Sequence, residues 1–401
     1  MRPIKKLMPF EEALAIVLDR AKPMRRKETL SLLNALGRVS AENIASTMSV
    51  PPFARAAMDG YAVRARDTFG ASKMSPVVLK KIETIYAGGV PERALTRGTC
   101  AEAATGAMLP KGADAVVMVE DTESDGSSVS ISESVHPGKH VSKKGEDISP
   151  GTRLVSEGDV LNPSKIGSLA AIGIRTIQVY RKPLIGIIPT GNEIAELGTH
   201  LKPGQVYNIN SYTLASVVHA NGAEARVLPI ANDTLKDIQR AVKKNKDCDI
   251  LVFSGGSSVG ERDVMLDVLE RSGEVLFHGI AVKPGKPTLF GTISGKLVFG
   301  MPGYPTSCLS NAYILLAPAI RRMARLPDAE PTSVHAQMSR RVVSTTGRLQ
   351  FLTVKVDRGM AHPVFKESGA ITSMAFADGY VIIPANVDLI EKGEVVKVFL
   401  L

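Results

Sequence analysis

The stretch DILVFSGGSSVGERDVMLDVLERSG, residues 249–273, decides the fold. Ile250 to Phe253 form a short apolar run that ends in a Gly/Ser loop, as a buried strand does. After the loop, Val264, Met265, Val268 and Leu269 recur at helical spacing. The same alternation precedes it, with strand LIGIIP (184–189), helix SYTLASVVHAN (211–221), strand EARVLPI (224–230) and helix TLKDIQRAVKKN (234–245). It closes with KLVFGMPGYPTSCLSNAYILLAPAI (296–320), a strand, a Pro/Gly turn and a long apolar helix. Strands alternating with helices imply a mostly parallel sheet covered on both faces.

Outside this region the pattern changes. Phe10, Leu14, Val17 and Leu18 mark an amphipathic first helix, with Pro9 near its start. From Val50 to Asp121 short β-like runs such as YAVRA and DAVVMVE are broken by Pro and Gly, which predicts a compact β-rich module. TESDGSSVSISES predicts a hairpin, and PSKIGSLAAIGI a short helix ending at Gly173. Beyond Leu326 the chain returns to short strands, a small terminal β-barrel or sandwich. The fold class is multidomain α/β plus β, and 401 residues exceed what one core usually organises.

Lys and Arg total 49 against 40 acids, a net charge of +9, which favours an anionic ligand. The basic clusters at 25–27 and 243–246 lack interleaved aromatics and the chain has no Trp, so no nucleic-acid partner is expected. Cys100, Cys248 and Cys308 are an odd, scattered set with neither disulfide nor zinc spacing, and a reducing cytoplasm fits them. Glu11 and Glu12 interrupt the N-terminal apolar run, and no membrane-length run occurs elsewhere. No membrane partner is expected.

In such sheets the ligand sits beyond the carboxyl ends of the strands. Four loops should gather there: PTGNE (189–193), IAND (230–233), SGGSSVGERD (254–263) and MPGYPTS (301–307). Gly255 and Gly256 let a ligand approach the backbone, and Ser257 and Ser258 add hydroxyls suited to an oxyanion. Glu261 and Arg262 stand where a Walker loop needs Lys and Ser/Thr, and the spacing does not match GxGxxG. By itself the loop reads better as a strand-to-helix turn capped by Asp263 than as an anion site. VKPGKPT (282–288) then places Lys283 and Lys286 on a turn stiffened by two prolines, suited to a dianion or oxometalate. Asp59, in AMDGYAV, is an ordinary Asp-Gly turn on local grounds, and His136 and His140 lack a third metal ligand.

Taken in order, PPF…AMDGYAV, TGAMLPKGADAVVMVE, KKGEDI, IGIIPTGNEI, GQVYNIN, SGGSSVGERD, KPGKP and MPGYPTS resemble the molybdopterin molybdenumtransferase family, which includes the bacterial MoeA proteins and the E domain of gephyrin. The resemblance implies an elongated linker and dimerisation domain from residues 1–50 and 141–178, and an inserted β-rich domain at 51–140. It further implies a molybdopterin-binding α/β domain at 179–326 and a C-terminal β-barrel at 327–401. It implies a homodimer whose cleft lies between the α/β domain of one subunit and the inserted domain of the other, with the molybdopterin adenylyltransferase as a candidate partner. The implied reaction inserts molybdenum from molybdate into adenylylated molybdopterin and releases AMP, with Mg²⁺.

Carried over position by position, Asp59, Asp147, Glu193, Asp233 and Asp263 form the implied catalytic set, with Asp59, Glu193 and Asp263 also the metal ligands. Thr105, Gly255, Gly256, Ser257, Ser258, Lys283, Lys286, Pro287, Pro302, Pro305 and Ser307 form the implied cofactor and molybdate contacts. The chain departs from the family pattern at Ala54, Ile209, Ser257, Tyr304 and Thr353. A molybdopterin adenylyltransferase would share the α/β domain but not need the inserted module. A scaffold paralogue would keep the fold without turnover. Molybdate and tungstate, dianions of nearly equal size, are not distinguished by sequence.

Overall fold

The computed structural model describes residues 6–255, 264–329, 331–366 and 369–401. They form two compact units: residues 29–36 with 40–179, and residues up to Glu28 with 37–39 and 180–401.

The first unit is built on a mixed sheet in the order Ala115–Met118, Gly60–Val63, Thr99–Ala103, Val77–Ile85, Ser128–Ile131, Thr122–Ser124. Its residues alternate between two cores. Tyr61, Val63, Leu79, Cys100 and Val117 pack on one face, while Ala62, Ile85, Ala101 and Val116 pack on the other. The smaller side chains of the second face let loops lie close to the sheet. A further core joins Leu32, Val155, Leu161, Leu169 and Val179 around the helix Pro163–Ala171, whose N-cap Asn162 accepts the Lys165 N–H at 2.9 Å.

The second unit contains the α/β region expected from residues 249–273. We label its elements β1 (Leu184–Pro189), α1 (Asn210–Ala220), β2 (Glu224–Val227), α2 (Leu235–Lys244) and β3 (Ile250–Ser254). They continue as α3 (Val264–Ser272), β4 (Glu274–His278), β5 (Leu289–Ile293), β6 (Lys296–Met301) and α4 (Pro305–Asn311). The sheet order is β2-β1-β3-β6-β5-β4. The four strands β2, β1, β3 and β6 are parallel, and β5 and β4 add an antiparallel edge. The reversal comes from the two-residue turn Ser294-Gly295, both at positive φ, which returns the chain directly beside β5. One face of the sheet buries Ile185, Ile187, Val252 and Phe299 against Leu214, Leu315 and Ile320; the other buries Ile188, Leu251, Phe253 and Val298 against Ile238, Met265 and Leu269.

The first helix, Phe10–Arg20, belongs to the former face, where Ala13 and Val17 are fully buried. The apolar helix after α4 widens to a π turn over Ala312–Leu316 just before Pro318. Proline has no N–H for the Ile314 carbonyl, and a π turn accommodates that missing bond. At the C-terminus Leu349–Asp357, Met360–Pro363, Ser333–Met338, Val395–Leu400 and Gly379–Ile383 close into a five-stranded barrel filled by Met338, Leu352, Val354, Ile383 and Val398.

Gly60 shows how tightly the first sheet is drawn. A Cβ there would stand 2.0 Å from the Val117 carbonyl oxygen. Gly126, by contrast, has positive φ but open space around it. Gly60→Ala should therefore cost more than about 3 kcal/mol, against about 1–2 kcal/mol for Gly126→Ala. Chemical denaturation of both variants checks the ordering.

Candidate active site

Three parallel strands end at one level. Pro189, Ser254 and Met301 are neighbours in register, so the loops that begin at Thr190, Gly255 and Pro302 leave the sheet side by side. A bridge between Thr190 and Ala231 brings in the loop that carries Asp233. Gly255 has φ +109°, and a Cβ there would lie 2.2 Å from the Thr190 carbonyl oxygen. Only glycine lets these two loops touch. At Gly191, with φ +137°, a Cβ would meet the Glu193 carboxylate oxygens at 2.6 and 2.7 Å, so the exposed Glu193 side chain folds back over that glycine.

The start of α1 adds a polar cluster under the loops. The Asn210 amide donates to the Gly303 carbonyl at 2.8 Å, and Asn208 Oδ1 accepts the Ser211 N–H at 3.2 Å. Thr190, Asn208, Asn210 and Ser211 are all buried. Yet Thr190 Oγ1, Asn208 Nδ2, Asn210 Oδ1 and Ser211 Oγ have no hydrogen-bond partner, four of the six such buried atoms among the described residues. A buried polar atom left unpaired costs about 1–3 kcal/mol, so this concentration is a stored cost that a ligand can relieve. In the sequence Asn208 and Asn210 stand within GQVYNIN, Thr190 within PTGNE and Ser211 at the start of the expected helix SYTLASVVHAN, and none of the four is among the expected site residues. Their signal was three polar residues opening an otherwise apolar helix.

Lys283 ends a short strand, Val282–Lys283, that pairs with Leu349–Gln350 of the barrel. Its ammonium donates to Thr345 Oγ1 at 3.0 Å and lines a pocket of about 260 Å³ with Arg340, Arg341 and Gln350. Lys286 is exposed and Pro287 half-buried. The turn is pinned from beneath by Asn311 at the end of α4, whose amide donates to the Gly285 carbonyl at 2.9 Å and to Thr288 Oγ1 at 2.6 Å. A Cβ on Gly285 would strike that amide at 2.4 Å. Pro302 is buried, Pro305 opens α4, Ser307 is buried, and Tyr304 at the N-cap is 66% exposed.

Three family models cover most of the chain in order: "MoeA N-terminal region (domain I and II)" over residues 8–173, "Probable molybdopterin binding domain" over 186–322, and "MoeA C-terminal region (domain IV)" over 335–401. Molybdopterin molybdenumtransferase of Bacillus subtilis is 33% identical over 409 residues, covering 98% of this chain and 94% of its own. The chain belongs to the molybdopterin molybdenumtransferase family. Molybdopterin molybdenumtransferase 2 of Mycobacterium tuberculosis is 33% identical over 384 residues, 93% of this chain and 95% of its own. The solved molybdopterin biosynthesis MoeA protein of Pyrococcus horikoshii is 43% identical with a TM-score of 0.86, covering 98% of this chain and 99% of that one.

Asp59 and Thr105 meet in the first unit, where the exposed Asp59 carboxylate accepts the Thr105 N–H at 2.7 Å. Asp147, also exposed, lies in the same unit, its N–H donating to the Val50 carbonyl. Asp233 is exposed just before Thr234, the N-cap of α2. Gly256, Ser257, Ser258 and Asp263 lie outside the described residues. Of the family departures, Ile209 precedes α1, Ala54 is half-buried, and Thr353 is fully buried in the barrel with Oγ1 unpaired. Among the described residues no group of three or more His, Cys, Asp or Glu is close enough to hold a metal ion. The thiols are unsuited to nucleophilic work: burial pushes Cys100 and Cys308 up to about 12 and raises Cys248 as well.

Asn311→Leu should leave the buried Thr288 hydroxyl without a donor and the Gly285 carbonyl with only its bond from that hydroxyl at 2.9 Å, and lower stability by about 1–3 kcal/mol. The turn carrying Lys283 and Lys286 should loosen with it. Hydrogen exchange at the Ile280 amide, which donates to the Lys286 carbonyl at 3.0 Å, reads this directly, and faster exchange is expected.

Proposed function

We propose that this chain inserts molybdenum from molybdate into adenylylated molybdopterin and releases AMP. The observation that carries this reading is the set of unpaired buried atoms on Thr190, Asn208, Asn210 and Ser211. Donors and acceptors are mixed there. A pterin edge, which alternates amide and amino donors with ring acceptors, is a ligand class that matches such a set, whereas a bare phosphate offers acceptors alone. Molybdate is assigned to the lysine turn. Lys283 spends one N–H on Thr345, and two remain; Lys286 offers three. Gly255, Gly256, Ser257 and Ser258 are assigned to the phosphate end, with Pro287, Pro302, Pro305 and Ser307 shaping the walls.

Asp59 is assigned to the AMP-releasing step. Its Oδ1 is held by Thr105, which leaves Oδ2 to orient a water for attack on the adenylyl phosphorus. Asp147, Glu193, Asp233 and Asp263 complete the acidic set. Magnesium, when bound, neutralises charge on the pyrophosphate linkage, with Asp59, Glu193 and Asp263 as assigned ligands; the described residues alone do not make a site for it, and no step is drawn through it.

The proposal includes a homodimer in which Asp59 and Thr105 serve the α/β domain of the partner. Leu33 and Leu36, 94% and 61% exposed on the first unit, are the kind of apolar surface such an association would cover. It also keeps the four-domain division, with the first helix moved to the α/β core, a cytoplasmic location, and the molybdopterin adenylyltransferase as supplier of substrate. No helix among the described residues is long and apolar enough to cross a membrane.

Purified protein given adenylylated molybdopterin and molybdate should release AMP. An adenylyltransferase would instead consume ATP and form pyrophosphate, and a scaffold would do neither. Asp59→Asn keeps an oxygen for the Thr105 N–H, so the melting temperature should hold while AMP release falls on the order of 100-fold or more. Lys286→Ala, exposed and stability-neutral, should raise the molybdate concentration needed for half-maximal rate about tenfold. Wild-type AMP release by Asp59→Asn would return that residue to a turn-forming role.

A further inference from the structure

A second cationic site lies at the opposite edge of the sheet. A cleft of about 520 Å³ opens between α2, α3 and the β5–β6 hairpin, within the range of about 300–1,000 Å³ typical of small-ligand pockets. Lys243, Lys246 and Lys296 line it, and no carboxylate does. The Lys296 ammonium is fixed in place, donating to the Cys248 carbonyl at 2.6 Å. None of the three lysines is in an ion pair among the described residues. The acid beside them in sequence, Asp247, is already taken by Arg226 at 2.8 Å. Three like charges around one cleft repel, and that repulsion is relieved by an anion.

The cleft is more than a basic patch. Val268 and Ile293, both buried, contribute an apolar wall, and the Ser272 hydroxyl adds a donor. Lysines supply point charges for a phosphate, and the apolar wall suits a flat ring. Lys296 is the first residue of β6, whereas the loops of the candidate active site leave from its last residue, Met301. Five steps of a strand separate the two ends by roughly 16 Å. The cleft is therefore distinct from the site described above.

We propose that this cleft binds a phosphorylated small molecule with a flat apolar body, of the size of a nucleoside monophosphate. The proposal does not depend on the reaction assigned to the carboxyl end of the sheet. Calorimetric titration of the full chain uses AMP as probe, with adenosine and inorganic phosphate as partial probes. AMP should occupy this cleft as a binding event separate from any at the glycine loop assigned to the phosphate end. Lys243→Gln/Lys246→Gln should weaken that binding at least tenfold, and Ser272→Trp, which fills the cleft without touching its charge, should do the same. Both variants should keep the wild-type melting temperature, because the altered side chains are exposed. Lys286→Ala should leave this binding unchanged while affecting only the proposed molybdate site, so the two assignments fail separately. Adenosine should not bind, and phosphate should bind more weakly than AMP. AMP binding unaltered in both cleft variants would overturn the assignment; phosphate binding as tightly as AMP would overturn the role of the apolar wall.

Discussion

The register of β1, β3 and β6 is the constraint on which the candidate site depends. Parallel pairing sets Pro189, Ser254 and Met301 side by side, and three loops must then share one small opening. They fit only because Gly255 has no Cβ to meet the Thr190 carbonyl. The same crowding drives Asn210 onto Gly303 and leaves its neighbours short of partners. Packing in the sheet is thus converted into unpaired polarity at its edge.

A second constraint couples the lysine turn to two different layers. From below, Asn311 holds Gly285 and Thr288; from the side, Lys283 joins the first residues of the barrel strand Leu349–Asp357. A turn that would be mobile by itself is fixed by a helix end and a sheet edge. Holding ammonium groups still before an anion arrives removes part of the ordering cost of binding. The chemistry this surface offers on its described residues is hydrogen bonding from unpaired buried polar atoms and fixed charge from the two lysines.

Much of the architecture was legible along the chain. LIGIIP coincides with Leu184–Pro189, and Thr234 caps Leu235–Lys244 through its bond to the Asp237 N–H. EARVLPI ends early as a strand, at Val227, although the Leu228 N–H still donates to the Ile187 carbonyl at 2.8 Å and the Ala231 N–H to the Pro189 carbonyl at 2.9 Å. The antiparallel edge of β4 and β5 was not legible, since a hairpin strand and a parallel one share the same apolar pattern. Nor was the placement of Ala13 and Val17 in the α/β core, because an amphipathic stripe names the face to be buried and not its partner.

Sequence by itself determined the alternation of strands and helices, the glycines at the loop mouths, the two lysines on one proline-bound turn and the ordered motifs of the family. All of these are local, fixed by spacing and residue type. Tertiary structure alone decided that Asn208, Asn210, Ser211 and Thr190 carry unpaired atoms, that Asn311 pins the lysine turn, and that Lys243, Lys246 and Lys296 face one cleft. Each of those facts depends on side chains brought together from distant positions. Hydrogen-bond satisfaction and charge balance are sums over spatial neighbours, and a sequence does not state its neighbours.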